Sequence, residues 1–149
     1  EQTNAKILSE KLSKLGAQTI VECINLINKN KYKFINQNHG KATYAEKIKK
    51  SESKIDWNNC AKNILAKINA LNPHPGAWFE YSGERYKIFK AVIKENNRGL
   101  PGEVINDELT VRCGDKSIQI LEIQKQGKSR LSLEKFLIGN KISLGKKLI

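Results

Sequence analysis

The chain carries two hydrophobic rhythms, helical in its first half and alternating in its second. Thr3 or Asn4 can cap a first helix reaching about Leu15, with Ile7, Leu8, Leu12 and Leu15 on one face. Gly16 is expected to interrupt it. A second helical stretch, Ala17 to Ile27, brings Ile20, Val21, Ile24 and Ile27 into phase. This pair presents more apolar surface than it can bury by itself. Residues 29–40 lose the period, with Tyr32, Phe34 and Ile35 as candidates for a short strand or a docking contact. Residues 41–53 are rich in lysine and read as an extended connector, with a helical turn possible at Tyr44 to Lys49. Next, Asp56 is placed to cap a helix whose stripe is Ala61, Ile64, Leu65, Ile68 and Leu71. Asn72-Pro73-His74-Pro75-Gly76 stops it and turns a corner.

After Gly76 the pattern is β. The expected strands are 77–81, 85–93, 102–105, 109–113 and 118–124, separated by turn signals such as Ser82-Gly83, Asn106-Asp107 and Gly114-Asp115. Ile118 and Ile120 alternate and then the phase slips at Leu121, which predicts a bulge. Ser132 should cap a short last helix, Leu133 to Ile138, stopped by Gly139. Ile142 and Leu144 should anchor the tail. The fold class is therefore mixed α and β. A helical segment and linker precede a capped helix, a small five-stranded barrel of the oligonucleotide-binding (OB-like) kind, and a short C-terminal helix.

Composition narrows the functional classes. Apolar residues make up 39% and mean hydropathy is -0.54, enough for one modest core. No apolar run approaches the roughly 20 residues of a membrane span, and the first residues do not resemble a signal peptide. There is no methionine, so a trimmed or partial product is expected. Cys23, Cys60 and Cys113 are odd in number and far apart, His39 and His74 are remote from each other, and no metal site is expected. Free thiols in a reducing cytosol are the simpler reading. No phosphate loop, nucleophile elbow or paired-carboxylate motif is present, so no catalytic residue is assigned.

Charge is the informative feature: 27 basic against 15 acidic side chains, net +12. One basic group lies in the connector, at Lys41, Lys47, Lys49, Lys50 and Lys54. A second lies along the β region, at Arg85, Lys87, Lys90, Lys94, Arg98, Arg112, Lys116, Lys125, Lys128 and Arg130. Lys87 and Lys90 cannot both face outward without a bulge between them. Tyr81, Tyr86 and Phe89 are interleaved, either as a stacking platform or as barrel filling. Cations that neutralise roughly four to eight phosphates would bind RNA without sequence preference and with a steep salt dependence.

IDW, INALNPHPGAW and YKIFKA together resemble the C-terminal region of the methionyl-tRNA formyltransferase family. KLSKLGAQTIVECI is similar to the last helical segment of that family's catalytic domain, and TYAEKIKKSESKIDW to its interdomain linker. LPGEVI, VRCGDKSIQILEIQKQGKSRLSLEKFLIG and LGKKLI are similar to its C-terminal barrel. The corner departs from the family in carrying His74 where Trp is usual. The resemblance implies that residues 1–40 end a catalytic domain, 41–54 form a basic linker, and 55–149 form an OB-like tRNA-binding domain. It implies a parent enzyme that formylates the amino group of methionine on initiator tRNA from 10-formyltetrahydrofolate, bound outside this segment. The implied tRNA-binding residues are Lys47, Lys49, Lys50, Lys87, Lys90, Arg98, Arg112, Lys125, Lys128 and Arg130, with Lys47 nearest the aminoacyl end. The implied setting is a cytoplasmic monomer with no DNA or membrane partner. Alternatives are another formyltetrahydrofolate-dependent formyltransferase or hydrolase, or a stand-alone OB-type RNA-binding module.

Overall fold

The computed structural model describes residues 3–149. Lys6–Ile48 and Lys49–Ile149 belong to separate compact units. The first unit is dominated by one helix, α1 (Ala5–Asn28), that runs straight through Gly16. A glycine inside a helix costs only about 1 kcal/mol, and the flanking turns carry it. The two helices expected here are therefore one. None of its residues is buried, and Leu12, Leu15 and Ile20 are each 58% exposed. Tyr32 and Phe34 pack edge to face at 5.1 Å outside any strand. The connector holds 3-10 turns at His39–Lys41 and Lys50–Ser53 rather than a helical turn at Tyr44–Lys49. No helix among the described residues is long and apolar enough to cross a membrane.

The second unit contains α2 (Ala61–Ala70), β1 (Ala77–Tyr81), β2 (Glu84–Lys94), β3 (Thr110–Arg112), β4 (Ser117–Lys125), β5 (Leu131–Ser132) and α3 (Leu133–Gly139). The cap of α2 differs from expectation. Asp56 lies too far before the helix and instead accepts from the Asn58 backbone N–H at 3.0 Å and from the side-chain amides of Asn58 and Asn59. The Ala61 N–H donates to Asp115 Oδ1 at 2.7 Å, so the cap comes from the β3–β4 turn. Gly114 makes this joint possible. Its N–H donates to Asn59 O at 2.9 Å, and a Cβ there would lie 2.2 Å from Asn58 O.

The sheet is antiparallel in the order β1-β2-β4-β3, with β5 on β4. Residues 102–105, expected as a strand, join only through isolated bridges, and β5 is the fifth strand. Backbone hydrogen bonds nonetheless run round a closed circuit. Glu80 exchanges bonds with Ile149, Leu148 N–H donates to Gly102 O, and Arg112 N–H donates to Glu103 O. Inside lie Phe79, Ile88, Ile118, Ile120 and Ile123, with Ile64 and Ile68 of α2 and Phe136 of α3 packed against them. Tyr86 is 5% exposed and stacks on Phe79 at 5.4 Å, so this ring fills the interior rather than offering a face to bases. The tail is held by Ile142 and Leu148, whereas Leu144 is 60% exposed.

Candidate nucleic-acid interface

The outer face of β2 is set by two compensating bulges. Ile88 pairs with Ile123, Lys90 with Glu122, and Ala91 with Ile120. Phe89 is thus the extra residue on β2, and Leu121 is the extra residue on β4, where the sequence phase slips. Without Phe89 in excess, Lys90 would point opposite to Lys87. With it, Lys87 pairs with Gln124 and Lys90 with Glu122, two positions on one side of β4. The bulge leaves the Phe89 carbonyl outside the ladder, and Asn72 Nδ2 donates to it at 2.7 Å. The corner after α2 therefore holds the bulge that aligns the lysines. The same corner supports Lys87: a Cβ on Gly76 (φ +84°) would lie 3.0 Å from Lys87 Cδ, so the lysine stem rests on bare backbone.

Arg85 extends this face. Its guanidinium lies 3.8 Å over the Trp78 ring, and Lys54 Nζ stands 5.4 Å from the same ring. Among the described residues no carboxylate pairs with Arg85, Lys87, Lys90 or Lys94, and Lys90 and Lys94 are exposed. Arg85 belongs to the wider basic group read from sequence but not to the implied tRNA-binding residues. Its place two residues before Lys87 on one strand is the signal that would have found it.

The other expected residues divide by partner. Lys125 Nζ lies 2.5 Å from Glu84 Oε2; that hydrogen bond raises the lysine pKa and holds the Glu84 carboxyl below its ordinary range. Arg130 is paired with Glu122 and lies 4.4 Å over the Phe89 ring. Arg112 turns back to donate to the carbonyls of Cys113 and Lys116. Lys116, in the wider basic group, lies 2.6 Å from Glu95, whose hydrogen bond raises the lysine pKa. Lys128 and Arg98 are exposed on loops. Lys49 and Lys50 are exposed at the start of the second unit, and Lys47 is exposed in the first. The structure thus brings Lys87 and Lys90 together and commits Arg112, Lys125 and Arg130 to neighbours within the fold. Of the cysteines, Cys113 is buried, which pushes its thiol up to about 12.

A closed five-stranded antiparallel sheet with one helix packed before it, one after it and an unpaired cationic strip outside defines a small mixed α/β domain. The chain belongs to the formyl transferase C-terminal domain family, whose model matches residues 47–141. It is 44% identical over 149 residues to a methionyl-tRNA formyltransferase of Pelagibacter ubique, covering 99% of this chain and 48% of that protein. It is 38% identical over 144 residues to the enzyme of that name from Bradyrhizobium diazoefficiens, covering 94% and 46%. The chain thus spans about half the length of these curated relatives. Among solved structures, a variant of HypX from Aquifex aeolicus matches with a TM-score of 0.70 at 19% identity, covering 97% of this chain and 30% of that one. HypX in complex with tetrahydrofolic acid matches at 0.64 and 18%, covering 87% and 26%. At such identities the likeness is one of fold.

Proposed function

We propose that this chain is the tRNA-holding part of a methionyl-tRNA formyltransferase, an enzyme that formylates methionine on initiator tRNA in translation initiation. Residues 1–40 serve as the end of the catalytic domain, 41–54 as the basic linker and 55–149 as an OB-like tRNA-binding domain. Formyl transfer from 10-formyltetrahydrofolate belongs to the half of the relatives that this chain does not match. The enzyme acts in the cytoplasm as a monomer, and its macromolecular partner is RNA rather than DNA or membrane.

The observation that carries this reading is the unpaired strip Arg85, Lys87, Lys90 and Lys94 along β2, aligned by the Phe89 bulge. Its cations are free to displace counterions from a phosphate backbone. Within the linker, Lys49 and Lys50 carry the same charge at the start of the unit that holds the strip, and Lys47 belongs to the other unit and is proposed separately as the contact nearest the aminoacyl end. Tyr86 is packed inward, and the outer rings Trp78 and Phe89 are covered by Arg85 and Arg130, so we expect binding through backbone and shape rather than base stacking. The test is affinity of the chain for initiator tRNA across a salt series. A log–log slope of roughly −3 to −7 is expected for about four to eight released counterions. A flat response would overturn the reading.

A further inference from the structure

Along the strip, β2, β4 and the turn after β4 leave a recess of about 270 Å³ lined by Arg85, Lys87, Gln124, Gln126 and Gly127. Its composition is unusual for an exposed sheet: two cations, two amides, a turn glycine and no carboxylate. We propose that this recess is a discrete phosphate-binding cradle that takes one backbone phosphate of an RNA strand. The proposal rests on the reading above and adds a defined subsite to it.

Three features distinguish the cradle from a diffuse basic surface. The Arg85 guanidinium lies 3.8 Å over the Trp78 ring, and its Nε is buried with no hydrogen-bond partner. The terminal nitrogens of this guanidinium make no hydrogen bond among the described residues and are the groups left for an oxyanion. Lys87 is also pre-positioned, because its stem lies on Gly76 and its cross-strand neighbours are Trp78 and Gln124. Little side-chain entropy remains to be lost when it binds. Finally, Gln124 donates to the Lys128 carbonyl at 2.7 Å and so fixes the loop that carries Gln126 and Gly127. At about 30 Å³ per water the recess has room for a hydrated phosphate.

The test has two arms on the intact chain. Titration with inorganic pyrophosphate, followed by backbone amide shifts, should move Arg85, Lys87 and residues 124–127 before other sites. In the RNA arm, Lys87→Met keeps the apolar stem and removes the charge. It should reduce the initiator-tRNA salt slope by about 0.7–1 and weaken binding several-fold at fixed salt. Lys135→Met, which removes one exposed charge from α3, should leave the slope unchanged. Pyrophosphate shifts scattered over the molecule, or equal effects of the two substitutions, would overturn the cradle while leaving a salt-steep wild type as support for tRNA binding. Localised pyrophosphate binding with no RNA binding would instead overturn both the RNA assignment of the cradle and the reading it rests on.

Discussion

Asp115 shows how a single residue can serve an element far away in sequence. It accepts from the Ala61 N–H at the start of α2 and from its neighbour Lys116 N–H, both at 2.7 Å. The Ala61 bond is the main reason its carboxyl sits below the usual range. A carboxylate with a depressed pKa in the folded state stabilises the fold above its unfolded pKa. That contribution is lost as pH falls through the lower, folded value. Asp115 is exposed, so water screens the effect and the contribution is small. We predict that Asp115→Ala lowers the thermal midpoint by a few degrees near neutral pH. The gap to wild type should close as pH drops below about 4, where an ordinary aspartate is protonated. Thermal unfolding followed by circular dichroism at several pH values checks this. A gap that persists unchanged into acid would mean that the carboxylate is not the cap.

At the scale of elements, the corner after α2 and the bulge on β2 form one device. Asn72 is 4% exposed, and its amide satisfies the carbonyl that the Phe89 bulge releases from the ladder. Asn72→Ala should leave that carbonyl unpaired and cost about 1–3 kcal/mol. It should also loosen the register that turns Lys90 to the same side as Lys87. Urea unfolding measures the first effect, and amide shifts confined to residues 87–91 and 120–123 measure the second. A stability change near zero would show that water replaces the amide at no cost. Parts of this device are legible in the sequence. Aromatic and branched residues between turn signals mark β1 and β2, alternation marks the start of β4, and the slip at Leu121 marks one bulge. The opposing bulge at Phe89 is not legible from periodicity, because Ile88 and Phe89 are both apolar and either could face inward. It enters only as the condition for Lys87 and Lys90 to share a face. The α2 cap is not legible either: Asp56 is a chemically suitable cap, and nothing local says that an aspartate 54 residues beyond Ala61 will take the place. Residues 102–105 read as a strand from composition, yet their partners are the tail and β3, whose positions depend on the closed circuit. Charge was half legible. The sum of +12 can be counted, but which cations lie against carboxylates depends on register, as Lys125 with Glu84 and Arg130 with Glu122 show.

At the scale of the molecule, the two units differ in what holds them. The second has a shared interior of α2, α3 and the closed sheet, in which Phe79, Ile88, Ile118 and Ile120 are all 0% exposed. In the first, no residue of α1 is buried. A helix without a packed face depends on its own backbone bonds and side-chain pairs, and isolated helices in water are only marginally stable. Its local support includes an exposed pair, Lys6 with Glu10 at 3.9 Å, and it carries a glycine in the middle turn. Surface pairs of this kind contribute about 0.3–0.5 kcal/mol, less than the roughly 1 kcal/mol that Gly16 costs relative to alanine. Amide exchange should reflect this. Protons of α1 should exchange through local opening, orders of magnitude faster than those of β2 and β4, whose release needs unfolding of the whole interior. Limited proteolysis should likewise cut within residues 6–48 first and leave 49–149 resistant. Protection in α1 equal to that in β4 would contradict the assignment of stability to the closed sheet alone. It would require a partner surface for Leu12, Leu15 and Ile20.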